Sequence, residues 1–181
     1  QDTGYRFWVG GAAAQQTDFI DSMAARAPWA ALIVITAVFV LLFCMTGSLV
    51  VPLKALLING FSLIASLGVT SWLFEHGHLG LPQTPGLQTS IVACLMAFGF
   101  GLAMDYEVFL LARINEYWEA GHDNDEAVAR GLQRSGRIIT SAAVIIIAVF
   151  LGFVSGEMIS IKEIGVGLAM MVAVDATLVR L

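Results

Sequence analysis

From residue 28 to residue 51 the chain carries no charged side chain, and that run decides what kind of molecule it can be. Roughly 20 apolar residues in a helix cross a hydrocarbon core. Within that core every backbone N–H and C=O must find its partner inside the segment, which leaves helix as the available conformation. Residues 55–74 repeat the pattern, 87–112 does so with Asp105 and Glu107 inside it, 138–156 follows after a polar connector, and a last run begins at Ile164. Hydrophobic residues at 58% against 13% charged, with a mean hydropathy of +0.83, separate this chain from a soluble domain. The expected fold is all-α, a polytopic membrane bundle of five transmembrane helices, truncated in the last.

The intervals between these runs set the organisation. Residues 1–27 read as the tail of an extramembrane domain and a linking helix. Tyr5-Arg-Phe-Trp-Val9 has strand character before the Gly10-Gly11 turn, and residues 12–26 carry a helical pattern. Residues 28–112 then hold three spans. Pro28 suits a first helical turn, and Trp29 an interfacial belt. Asn59, Ser62 and Ser66 recur at helical spacing in the second span and should face other helices. Residues 113–137 form a connector in which Gly121 ends one helix. Asp123 and Glu126 there resemble a capping box opening a short amphipathic helix at the headgroup boundary. Residues 138–181 hold two further spans. Gly152 and Gly156 are spaced for close helix contact, and Gly165 begins a second small-residue ridge. Only eleven uncharged residues precede Asp175 in the last run, which makes it the weakest span of the five. Both ends of the chain read as cut, so it is expected to be a fragment.

Charge placement gives the orientation. Lys54, Arg113, Arg130, Arg134, Arg137 and Arg180 fall on one side of a five-span arrangement, and Arg6, Arg26 and Lys162 on the other. That bias puts the 113–137 connector in the cytoplasm. With a formal net charge of −5 and no clustered basic face, the chain offers nothing to nucleic acid. Cys44 and Cys94 sit in separate apolar runs and read as small buried hydrophobes. Glu75-His-Gly-His78 brings three possible ligands together without a second cluster, and reads as a solvated loop; no metal or cofactor is expected.

One residue breaks the logic of the scaffold. Asp105 interrupts the third run eight residues before Arg113, about 12 Å along a helix at ~1.5 Å per residue. A carboxylate at such depth costs about 2.5–3.5 kcal/mol on insertion scales, so its presence points to use, such as loading and releasing a proton, against the alternative of an acid satisfied by neighbouring hydroxyls or an arginine. Tyr106 follows it, turned ~100° around the helix, and is better placed to serve an acid on a neighbouring helix than Asp105 itself. Gly99 and Gly101 keep the approach slim enough for another helix or water. Glu107 should pair with Arg113 or Arg137, and Asp175 lies close enough to Arg180 for an ion contact or a relay step.

Three segments carry a family resemblance: Val51-Pro-Leu-Lys-Ala55, Phe100-Gly-Leu-Ala-Met-Asp-Tyr-Glu-Val-Phe-Leu-Leu-Ala-Arg113, and Gly165-Val-Gly-Leu-Ala leading to Asp175-Ala-Thr-Leu-Val-Arg180, with Gly136-Arg-Ile-Ile-Thr140 between the last two. In this order the chain resembles the mycobacterial membrane protein large (MMPL) family of the resistance–nodulation–division superfamily, across essentially its whole length. The resemblance implies helices eight to twelve of a twelve-helix pump in the bacterial inner (plasma) membrane. It implies that Asp105 and Tyr106 form the tenth-helix half of a proton relay driving export of lipids or hydrophobic compounds. The N-terminal half of the same transporter, membrane lipids, protons and the exported lipid are the partners it implies. A non-exporting relative, such as a protein-translocation accessory or lipid-sensing module, is the alternative. An intramembrane aspartyl protease is disfavoured, because Leu102 follows Gly101 and Val174 precedes Asp175 where such enzymes carry Gly-x-Gly-Asp and Tyr-Asp. No enzymatic activity is expected.

Overall fold

The computed structural model describes residues 10–178, so the strand expected at residues 5–9, and Arg6 and Arg180, lie outside the described residues. Five helices follow in order: α1 (Ala12–Thr46), α2 (Val50–His76), α3 (Thr89–Glu119), α4 (Asn124–Gly152) and α5 (Ile159–Leu178). Among the described residues there is no strand. The first four are long and apolar enough to cross a membrane. The chain is an all-α membrane helix bundle.

Residues up to Val38 form a unit of their own, whose described part is the first stretch of α1. The linking helix and the first span, expected as two pieces, are one helix of 35 residues with Pro28 inside it rather than in its first turn. Proline there removes one hydrogen bond, to the carbonyl four residues back. The alanines at 24, 25, 27, 30 and 31 are the strongest helix formers, and they carry the helix through. At its end the hydroxyl of Thr46 donates to the Leu42 carbonyl, and Gly47, at φ +65°, donates its N–H to Phe43. A left-handed residue is what turns the chain out of a helix, and glycine adopts it without strain. Cys44, expected to be buried, is exposed.

The second unit, residues 39–181, contains α2 to α5. Its α2 has the polarity of a soluble helix reversed. Asn59, Ser62, Ser66 and Thr70 are buried, while Leu57, Phe61 and Ile64 are 56%, 71% and 70% exposed. Ser66 and Thr70 donate to the carbonyls of Ser62 and Ser66, so these hydroxyls are satisfied on their own helix. Lipid solvates the leucines, and the polar stripe is left for helix contact. Gly77 ends α2 in the left-handed conformation, and Leu81 folds back against Leu73, Phe74 and Val166.

The last helix occupies the centre. The helix weakest as an independent span, α5, packs against α2, α3 and α4 and is buried along Gly165, Val166, Gly167, Leu168, Ala169, Met171 and Val172. Small residues bring the helices together. A Cβ at Gly165 would lie 2.6 Å from the Phe150 carbonyl oxygen, and one at Gly131 would lie 3.2 Å from the Cα of Ile114. Gly99 abuts Met171 and Leu63. Gly101 and Gly152, which the spacing placed at helix contacts, face open space, and Gly156 sits in the turn beside the Phe153 carbonyl. The Gly152 spacing misleads because α4 ends there, and a 3-10 turn at Phe153–Ser155 breaks the helical register before Gly156.

At the other end α3 runs to Glu119, about 46 Å for its 31 residues at ~1.5 Å each, which exceeds a ~30 Å core. Its last turns therefore project beyond the apolar layer. After a turn through Gly121, at φ +90°, α4 starts at Asn124 with Asp123 as its N-cap, though without a side-chain capping hydrogen bond. The separate short helix expected here is absent. It is continuous with the fourth span, because Ala127, Gly131, Ser135, Ile139 and Ala143 are buried at every fourth position and form one unbroken ridge.

Candidate intramembrane polar site

Three helices meet around a polar cluster inside the apolar bundle. From α3, Tyr106 turns inward and packs with Leu110, Ile139, Ala143 and Val172. Its hydroxyl is buried and has no hydrogen-bond partner among the described residues. From α5, Asp175 is only 3% exposed, and it lies within electrostatic reach of both Tyr106 and Glu107. Ser62 of α2 faces Asp175, yet neither carboxylate oxygen makes a hydrogen bond of acceptable geometry with a described residue. Buried polar groups in native proteins are almost always paired, and a role in chemistry is one of the few reasons for one that is not. Asp175 is thus a buried acid in the bundle interior; the contact expected for it with Arg180 lies outside the described residues.

Glu107 differs from its expected role. Its Oε2 accepts a hydrogen bond from Nδ2 of Asn59 at 2.5 Å, and Lys54 acts on it electrostatically. Of the two expected partners, Arg113 pairs instead with Glu116 at 2.6 Å on the same helix, and Arg137 makes no ion pair among the described residues. The reason is angular. Glu107 lies ~200° around α3 from Asp105, on the side facing α2, whereas Arg113 lies ~120° around the helix from Glu107 and ~9 Å farther along it. Replacing Asn59 with Leu removes the donor and leaves a half-buried carboxylate without it. The expected loss is about 1–3 kcal/mol of stability, read as a lower unfolding temperature of the detergent-solubilised protein. An unchanged midpoint means the contact carries no stabilisation.

Asp105 occupies the opposite face. It is exposed, not enclosed by the helices of this chain, and Gly101, one turn earlier on the same face, is exposed and open as well. Successive residues of one helix thereby present a carboxylate outward and a phenol inward. The sequence missed a second buried acid, Glu163, which read as part of a turn. It is 1% exposed in the first turns of α5, facing Thr84 of the 81–88 loop, and neither its Oε2 nor the threonine hydroxyl has a close hydrogen-bond partner among the described residues. Its adjacency to the small residues beginning at Gly165 was the available signal.

The sequence comparisons agree with this architecture. The MMPL family pattern matches residues 1–180. SCO6666 of Streptomyces coelicolor is 46% identical over 177 residues, 96% of this chain and 25% of that protein. The trehalose monomycolate exporter MmpL3 of Mycobacterium tuberculosis is 37% identical over 98% of this chain and 19% of its own length. The mycolic acid-containing lipids exporter MmpL11 of Mycolicibacterium smegmatis is 40% identical over 96% of this chain and 18% of its own. The chain spans a quarter or less of the length of these relatives. With a family match over nearly every residue and apolar helices built to lie in a bilayer, this multi-pass inner-membrane chain belongs to the MMPL family.

Proposed function

We propose that this chain is the C-terminal transmembrane half of an exporter of lipids or hydrophobic compounds driven by the proton-motive force, with Asp105 and Tyr106 in its proton relay. The observation that carries the reading is the unpaired polar cluster of Tyr106 and Asp175 inside an otherwise apolar bundle, one residue away from an exposed acid on the same helix. Asp105 loads and releases a proton on the face of α3 that the N-terminal half of the transporter covers. Tyr106 conveys the change of charge inward to Asp175, and Glu107, held by Asn59, fixes the rotation of α3 between the two faces. Proton re-entry supplies ~2.3 kcal/mol per charge per 100 mV, which is the work available to move a lipid. The named activities of MmpL3 and MmpL11 support a lipid substrate.

The test uses the full-length protein in vesicles with an imposed pH gradient and a fluorescent lipid. Wild type exports the lipid as the gradient dissipates, and Asp105→Asn does neither. Export by the variant at the wild-type rate overturns the relay.

A further inference from the structure

We propose that the cavity between the projecting ends of α3 and α4 is a binding site for the phosphate headgroup of an anionic phospholipid. It is an open space of about 600 Å³ lined by Tyr117, Arg130, Gln133, Arg134 and Arg137, all of them hydrogen-bond donors. The charges around it are sorted along the helices. Glu116, Glu119, Asp123, Asp125 and Glu126 gather about the turn, whereas Arg134 and Arg137 lie about 15 and 20 Å along α4 from Asn124, at ~1.5 Å per residue. Two of the arginines are already neutralised, Arg113 by Glu116 and Arg130 by Glu126, each at 2.6 Å. Arg134 and Arg137 are exposed and make no ion pair among the described residues.

The level of these two guanidiniums selects the ligand. Arg137 is followed at once by Ile138, 55% exposed, where the uncharged run of α4 begins. On the facing helix Tyr117 lines the cavity and Trp118, 57% exposed, follows it, aromatic side chains of the kind that gather at membrane interfaces. A phosphate seated against Arg134 and Arg137 has its acyl chains alongside Ile138 and the span beyond, an arrangement a soluble anion gains nothing from. Guanidiniums grip a phosphate through paired N–H donors, so arginine rather than lysine suits the site. Basic pockets between helices at a membrane surface bind anionic headgroups by this combination of charge and depth. None of the residues lining the site belongs to the polar cluster, so lipid retention and export can be read separately.

Detergent-purified full-length protein is titrated with dioctanoyl phosphatidylglycerol, dioctanoyl phosphatidylcholine and inorganic phosphate, and bound lipid is counted by native mass spectrometry. Wild type retains the anionic lipid in preference to the zwitterionic one. Arg134→Gln with Arg137→Gln lowers its affinity by about tenfold or more, and Arg134→Lys with Arg137→Lys falls between. Arg26→Gln, on the other unit, leaves binding unchanged. Equal retention of the two lipids by wild type, or undiminished binding by a folded glutamine pair, overturns the proposal. Inorganic phosphate binding as tightly as the lipid overturns the lipid assignment in favour of a soluble anion. If the glutamine pair does not fold, the wild-type lipid preference and the lysine pair still decide.

Discussion

Asparagine at position 105 is expected to abolish proton-coupled lipid export while leaving the helix bundle intact. The side chain is exposed on α3 with Gly101 open beside it, so an amide of nearly the same shape disturbs no packing in this half. What it removes is the capacity to change charge, which a proton relay requires. Asp175→Asn provides the complementary measurement. Its carboxylate is enclosed and lacks a hydrogen-bond partner among the described residues, so the amide costs little stability, but the inward end of the relay is lost. Both variants should insert and unfold as wild type does, and both should leave the pH gradient standing in the vesicle assay. A variant at Asp175 that exports normally confines the relay to the Asp105 face. Tyr106→Phe is a graded probe, since it keeps the ring packed against Ile139 and Val172 and removes only the hydroxyl.

The second large effect is structural. Gly165→Leu should prevent assembly of the bundle, seen as aggregation on size-exclusion chromatography and loss of a cooperative thermal transition. The first atom of any side chain there meets the Phe150 carbonyl at 2.6 Å and the Phe153 Cβ at 2.8 Å. Backbone cannot swing aside as a rotamer can, so the cost lies at or above the ~1–3 kcal/mol of ordinary overpacking. Gly99→Ala is milder, because it meets the flexible end of Met171, and Gly152→Ala, facing open space, should change nothing. Equal tolerance at all three positions would contradict the close approach of α5 to the end of α4.

The helices were legible in the sequence because the bilayer allows little else for uncharged runs of that length. Inward-facing polar residues were legible as well: Asn59, Ser62 and Ser66 announced their face by helical spacing alone. Rotation and termination were harder. Pro28 marked no helix start, since alanines on both sides sustain the helix, and the Gly152 spacing failed because it crosses a helix end. The partner of Glu107 depended on which neighbour its face of α3 meets, a property of packing that periodicity along one segment does not contain. Asp105 was found by its depth, but its exposure here and the burial of Asp175 are facts about the bundle.

The central position of α5 has a consequence for how the protein is made. Lys162, Glu163 and Asp175 leave this helix poorly suited to partition into lipid unaided, yet it is the one that α2, α3 and α4 surround. It emerges last from the ribosome among the five and must be accepted into a cradle its predecessors have formed. Until it arrives, the stripe of Asn59, Ser62, Ser66 and Thr70 has no α5 to cover it, and a chain stopped before residue 159 would carry that polar seam into the hydrocarbon. A bundle without its final helix is therefore expected to be unstable, its polar seam left without the helix that packs on it.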